Sequence, residues 1–448
     1  MSRASLVLAL FMLPELAFGQ TKFSINSPAT AQRASAMPAG QTMPTGGHQG
    51  RPAPAPSKII TLDDAIVLAL ANSPTIKGIR TQIQQSQAQE ITANLRPNPV
   101  LSGDSQFLPL FSPGQLSNDV EQYDVGLGYT FERGGKRHKR LLAARDQTAV
   151  TSSQVADAER TLTFNVAQQF INALLAQSNL EFAEDGLKSF QQTVDISAQR
   201  YKAGDISEGD YLKIKLQLLQ FQTDVSSARV AKVQALGSLR VLIGYATLPQ
   251  DFDVAGDLAY QPLTARLDDL EARALAERPD LRAAQQGIKA ARSQVELARA
   301  NGKQDVTLTT NYSHTPGLNS ASWFLSIPLP IFDRNQGEIA RTRFALSQAE
   351  LNEKANEDTV MTDVTNAYES ARTNQEVVQL YTSGYLKQAQ DSRDISAYAY
   401  KGGAATLLDF LDAERSYRAT QLAYRQALAA YMLSLEQLRQ AVGSRSLP

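Results

Sequence analysis

The sequence predicts a mainly α-helical fold with a small β part, written as two tandem copies of one unit. Three observations predict it. The phrase "RYKAGDISEGDYLKIKL" from Arg200 returns as "AYKGGAATLLDFLDAER" from Ala399, with Tyr201 and Tyr400, Gly204 and Gly403, Asp210 and Asp409, and Leu212 and Leu411 each 199 residues apart. Apolar residues recur every seven positions over stretches far longer than an ordinary globular helix. Four short segments alternate apolar and polar side chains, the period of a strand with one covered face.

In chain order, "MSRASLVLALFMLPELAFGQ" places Arg3 before an apolar run from Ala4 to Leu13, and Ala17-Phe18-Gly19 has the spacing of a cleavage site. Residues 1–19 therefore read as a signal peptide. Residues 20–58 are rich in Pro, Ala and Gly, with little to bury, and are expected to form a flexible segment. No later run reaches the ~18–20 apolar residues of a spanning helix.

The first copy, 59–250, opens at "TLDDAIVLALANSP", where Thr61 caps a short helix and Pro74 follows its end. The second copy, 266–443, opens at "RLDDLEARALAERPDL", with Leu62 to Leu267 and Pro74 to Pro279 both 205 apart. Residues 251–265 link the copies and 444–448 form a tail. Each copy then holds a medium helix (75–95 and 280–301) and two strands (99–110 and 122–132; 304–314 and 321–331). A very long helix (136–202 and 336–401) and a shorter one complete it.

The first long helix carries a seam of Val166, Ala173, Leu180, Leu187, Val194 and Tyr201, with Ala176, Ala183 and Phe190 three further on. Val364, Ala371, Val378 and Tyr385 keep the same step in the second. At ~1.5 Å per residue such a helix is about 100 Å long, wider than a globular core. The medium and shorter helices sum to nearly that length, so they are expected to stack end to end beside it, giving a rod two helices thick.

In the strands, Tyr123, Val125, Leu127, Tyr129 and Phe131 alternate with small or polar residues, as do Val306, Leu308, Thr310 and Tyr312. This pattern, with aromatics near the ends, fits outer-membrane strands. Four strands are too few to close a membrane barrel, and open edges are not tolerated in lipid. A membrane-inserted chain must therefore pool its strands in an oligomer; two copies supply 8 and three supply 12, and the residues do not choose. A periplasmic coiled-coil scaffold is the other reading of the same helices.

Composition narrows function. The 448 residues carry net charge −1, with both signs interspersed, so nucleic acid is not the expected partner. The absence of cysteine leaves no disulfide, thiolate metal site or lipid-anchored N-terminal cysteine. His48, His138 and His314 are far apart, and there is no phosphate loop, nucleophile–His–acid set or metal-ligand spacing. No catalytic residue, cofactor or metal site is expected.

Over 60–445 the chain resembles the TolC-like outer-membrane efflux proteins. The likeness rests on the duplicated "LDD…LA…P" openings, the two strand pairs and the two "Y-x-x-G" helix junctions. It implies a homotrimer whose pooled strands form a 12-stranded barrel in outer-membrane lipid, continued by a periplasmic α-barrel. The trimer would be the passive exit duct of a tripartite pump, with a periplasmic adaptor and an inner-membrane RND-type transporter as partners.

"FERGGKRHKR" resembles a phrase of that family's heavy-metal branch, the Czc- and Cus-like components, at Glu132, Gly134, Gly135, Lys136, Arg137 and Arg140, so heavy-metal cations are the expected cargo. A drug, small-molecule or type I secretion duct is the alternative. Physically, Gly134-Gly135 lets a strand turn into a helix, and the basic run reads as a strand–helix junction rather than a metal site.

The resemblance makes the repeated phrases the periplasmic tips, with Tyr201, Gly204, Gly402 and Gly403 facing the adaptor. The glycines permit the positive φ that ends a helix. Asp409 and Asp412, on one helix face, would form the narrowest ring of the pore, six carboxylates raising one another's pKa. The plainer reading of these aspartates is an acidic first turn complementing the helix dipole. Tyr400 would lock the tip closed, with Asp210 as acceptor. The family's locking arginine falls on Ala405, so a weaker or differently built closure is expected.

Overall fold

The computed structural model describes residues 58–106 and 122–446. The expected signal peptide and most of the 20–58 segment lie outside them. After a short strand β1 (Ile59–Ile60), Thr61 caps α1 (Leu62–Asn72) with a capping box. The Asp64 N–H donates to Thr61 Oγ1 at 3.3 Å, and the Thr61 N–H donates to Asp64 Oδ2 at 3.1 Å. Pro74 then begins α2 (Pro74–Ala93), where its missing N–H costs nothing.

Strands β2 (Val100–Gln106) and β3 (Gln122–Phe131) lead to α3 (Lys136–Ala203), which spans about 100 Å. The first copy ends with α4 (Glu208–Ile243). Strand β4 (Asp253–Val254) returns to pair in parallel with β1.

The second copy repeats the order: α5 (Leu267–Glu277), α6 (Pro279–Asn301), β5 (Val306–Thr315), β6 (Leu318–Ser326), α7 (Gln336–Leu380), α8 (Leu386–Lys401) and α9 (Leu407–Val442). Its long helix departs from expectation. In place of one helix over 336–401 there are two, joined by a π-helical stretch Tyr381–Tyr385 in which Gly384 takes φ 145°. Only a residue without Cβ enters that region freely, and the wider turn offsets the heptad register.

The last strand begins at Leu318, after a turn in which Gly317 has φ 85°, and stops at Ser326 rather than near 331. Pro328 and Pro330, having no N–H, cannot extend the ladder. Residues 107–110, expected to continue the first strand, lie outside the described residues.

The four longer strands form one antiparallel sheet in the order β2-β3-β5-β6. Its two copies meet at β3–β5, where Leu127 stands opposite Thr310. Below the sheet, α2 and α4 both lie along α3, and α6 and α9 both lie along α7, so the shorter helices do stack end to end beside the long ones. Nearer the tips the lateral order is α4, α3, α9, then α7 with α8.

Two matching cores hold the middle. Ile66, Ala69, Val166, Phe170, Leu239 and Ile243 form the first; Leu270, Ala274, Val360, Val364, Leu438 and Val442 form the second. Among the described residues no helix is long and apolar enough to cross a membrane.

Candidate functional site

The tips are built by two matched helix ends. At the first, Gly204 takes φ 84°, its N–H donates to Tyr201 O at 3.0 Å, and the Asp205 N–H donates to Arg200 O at 2.9 Å. At the second, Gly403 takes φ 75°, its N–H donates to Tyr400 O at 3.1 Å, and the Ala404 N–H donates to Ala399 O at 2.8 Å. Both are left-handed caps that require glycine. Gly402, expected to share that role, stays helical at φ −82°.

The two tip tyrosines part company in space. Tyr201 is 38% exposed and stacks on Tyr211 at 5.1 Å, with Lys215 over the second ring. Tyr400 is 6% exposed and ends a column of rings that crosses four helices. Tyr400 of α8 stacks on Phe410 of α9 at 5.4 Å, Phe410 faces Phe190 of α3 at 6.4 Å, and Phe190 stacks on Phe221 of α4 at 4.5 Å.

A guanidinium covers each end: Arg200 lies 5.5 Å from the Tyr400 ring, and Arg418 lies 4.1 Å from the Phe221 ring. Arg418 also pairs with Asp224 across from α9 to α4. The column and its caps thus tie all four tip helices together.

Arg200 donates from Nη1 to Tyr400 O at 2.9 Å, so the first tip clasps the C-terminal end of the second tip's helix. Within the chain, then, a guanidinium reaches the second tip from the first copy, while position 405 itself is alanine. One signal could have found it, since the first phrase opens on arginine where the second has Ala399. Tyr400 and Asp210 do not bond within the chain. The Tyr400 hydroxyl is buried without a hydrogen-bond partner among the described residues, while Asp210 accepts from Lys213 at 3.4 Å.

The two candidate gate aspartates are held differently. Asp409 closes a capping box at the start of α9: Thr406 Oγ1 donates to Asp409 Oδ2 at 2.7 Å, and the Thr406 N–H donates to it at 3.2 Å. Those hydrogen bonds hold the Asp409 carboxyl below the ordinary aspartate value. Asp412 accepts from Arg415 at 2.5 Å and remains exposed. Glu414, half-buried two residues on, moves the other way: burial pushes it up, against the pull of Arg393 and Arg418. Within one chain, then, Asp409 is acidified rather than raised.

At the strand–helix junction Gly134 (φ 75°) and Gly135 (φ 68°) turn β3 into α3. Lys136, 9% exposed, pairs with Asp305 at 2.8 Å, and the Arg133 N–H donates to the same carboxylate at 2.9 Å. Arg137 Nε donates to Asn94 O at 2.7 Å and Arg140 Nη2 to Leu95 O at 3.1 Å, cations placed at the C-terminal end of α2. Arg140 also pairs with Glu132. The matched phrase is therefore a brace joining strand to helix. Among the described residues no group of three or more His, Cys, Asp or Glu could hold a metal ion.

Gly134→Ala should destabilise the protein by about 1–2 kcal/mol, because a Cβ must enter the left-handed region; the built Cβ also lies 2.6 Å from Lys303 Cδ. Gly78→Ala, at a helical position with nothing within 4 Å, should instead stabilise by about 0.5–1 kcal/mol. Paired thermal melts of the detergent-solubilised proteins check both signs.

A family model described as "Outer membrane efflux protein" matches residues 65–245 and 270–444, the two repeats. The cobalt-zinc-cadmium resistance protein CzcC of Cupriavidus metallidurans is 22% identical over 370 residues, 82% of this chain and 85% of that protein. The pyoverdine export outer membrane protein OpmQ of Pseudomonas aeruginosa is 25% identical over 408 residues, 85% of this chain and 83% of that one. Among solved structures, CusC aligns with a TM-score of 0.71 at 22% identity, covering 86% of this chain and 92% of CusC.

Proposed function

Since the chain belongs to the outer membrane efflux protein family, and is an outer-membrane efflux channel with a helical periplasmic extension, we propose that it works as the homotrimeric exit duct of a tripartite pump for heavy-metal cations. A periplasmic adaptor and an inner-membrane RND-type transporter would complete the pump. The observation that carries the oligomer is the sheet. One face exposes Leu101, Val125, Leu127, Tyr312, Trp323 and Leu325, and both edges, β2 and β6, are unpaired among the described residues.

Lipid accepts the apolar face but not the edges. Pairing β2 of one copy with β6 of the next removes both by one head-to-tail contact, and such contacts close rings. The helices support the same step. The outer flank of α4 exposes Leu212, Leu216, Leu219, Val230 and Val233, and the outer flank of α7–α8 exposes Leu380, Ile395 and Tyr398. Three copies give 12 strands, within the range of membrane barrels.

In this reading the tips face the adaptor through Tyr201, Gly204 and the Gly402–Gly403 turn. Asp409 and Asp412 ring the entrance, and the ring column with Arg200 holds that entrance together. The carboxylates favour cations over anions by their field.

The cobalt-zinc-cadmium resistance relative and the "FERGGKR" phrase support metal cations as cargo. The pyoverdine-export relative keeps small-molecule efflux as the competing reading. A deletion strain should lose tolerance to Co, Ni, Zn, Cd, Cu or Ag salts and regain it with the intact gene, while the detergent-purified protein should have the mass of three chains. Unchanged metal tolerance with new sensitivity to hydrophobic drugs would transfer the assignment to small molecules.

A further inference from the structure

The four longer strands contain no Lys or Arg, and their charged residues are Asp104 and Asp124. Alternation puts both on the face opposite the apolar one, and the register sets them directly across from each other. That row continues through Ser313 and Ser320; the adjoining row is Ser102, Gly126, Asn311 and Ser322. Like charges opposed across a ladder weaken a sheet, so the pair does nothing for the fold itself.

Nor is the acceptor capacity there used up. Asp124 Oδ2 accepts from Gln122 at 2.8 Å, but Asp124 Oδ1 and Asn311 Oδ1 are buried oxygens with no hydrogen-bond partner among the described residues. A Cβ at Gly126 would lie 2.2 Å from Asn311 Oδ1 and 2.7 Å from Ser102 Oγ, so the missing side chain is what admits these oxygens to one spot.

We propose that Asp104 and Asp124 make the outer end of the duct selective for cations. The inference rests on the trimeric-duct reading. With the apolar face in lipid, the polar face lines the bore, and three copies place six carboxylates at one level with no basic strand residue to offset them. Rings of carboxylates select cations in this way, because a narrow bore with low-dielectric walls focuses the field of its charges. The position is also well separated from the tips. Residues 104 and 124 lie toward the strand ends remote from the helices, whereas Asp409 and Asp412 lie at the far end of α8 and α9. Cations leaving the pump thus meet a second acidic ring at the exit.

The full-length protein, reconstituted in a planar lipid bilayer under a KCl gradient, tests this through its reversal potential. Wild type should prefer K⁺ to Cl⁻, and Asp104→Asn with Asp124→Asn should lower the permeability ratio several-fold at unchanged oligomer mass. Asp104→Glu with Asp124→Glu should retain it. Asp409→Asn with Asp412→Asn should leave a residual cation preference owed to the outer ring. A wild-type reversal potential in the Asp104→Asn/Asp124→Asn protein would overturn the proposal. A wild-type protein that forms no conducting channel would remove the duct reading itself, and this inference with it.

Discussion

Arg278→Met is expected to lower stability by about 3–5 kcal/mol, the range for removing one partner of a buried ion network. Arg278 is 4% exposed and joins three elements of the second copy. Its guanidinium donates to Asp280 at 2.6 Å, to Asp363 at 3.0 Å and to the Ala441 carbonyl at 3.1 Å. Arg160 approaches the same Asp280 at 3.7 Å and pairs with Asp157 at 2.7 Å, bringing in the first copy's long helix. Methionine would fill much of the volume and leave Asp280 part-buried with its principal partner gone.

A surface pair sets the scale. Arg266 and Asp268 are 77% and 80% exposed, so Arg266→Met should change stability by only ~0–1 kcal/mol. Denaturant unfolding of the two variants compares them directly; equal midpoints would show that the network contributes no more than a solvated pair.

The acid limb gives a second check. Burial alone would raise the Asp280 carboxyl, but the hydrogen bonds and charge of Arg278, with Arg160 behind it, outweigh burial and hold it below the ordinary aspartate value. A carboxyl depressed in the folded state stabilises that state above its unfolded pKa, about 3.9. The stabilisation is lost as pH falls through the lowered folded value. Wild type should therefore weaken below about pH 4, and Arg278→Met should show a smaller fall over the same window.

Phe410→Ala should have the other large effect, at the tip. Phe410 is 4% exposed and sits between Tyr400 and Phe190 in the ring column. Truncating a buried phenylalanine costs about 3–5 kcal/mol, and each lost ring pair accounts for about 0.5–1.5 kcal/mol beyond area alone. The loss should be local, because the cores around Val166 and Val360 share no residue with this cluster. Amide exchange should accelerate across 386–415 and stay at wild-type rates across 136–165. Phe410→Leu should recover most of the protection, since it keeps much of the volume. Acceleration spread evenly along α3 would mean that the column does not act as a separate brace.

The helices, their caps and the duplication were legible because each depends on near neighbours in the chain. The Thr61 cap needs only a hydroxyl at the right step. The αL positions Gly204 and Gly403 need only a missing Cβ. The seam from Val166 to Tyr201 is a matter of period. The break at Gly384 was harder to read, because a glycine within a heptad pattern is as often tolerated as used to bend the helix.

The repeat does not extend to burial. Tyr201 and Tyr400 hold equivalent places in sequence, yet one lies outside and the other inside, because what covers them comes from other helices.

By itself, the sequence determined that this protein is a duplicated set of long helices, the first copy's longest about 100 Å, carrying two strand pairs, since φ/ψ preference, capping and periodicity act over a few residues. Only the tertiary structure decided that Arg200 clasps the helix ending at Tyr400, that four rings from four helices stack into one column, and that Asp104 faces Asp124. Each of these joins residues from separate elements, and the last follows from a register in which a slip of one residue would send every side chain to the opposite face.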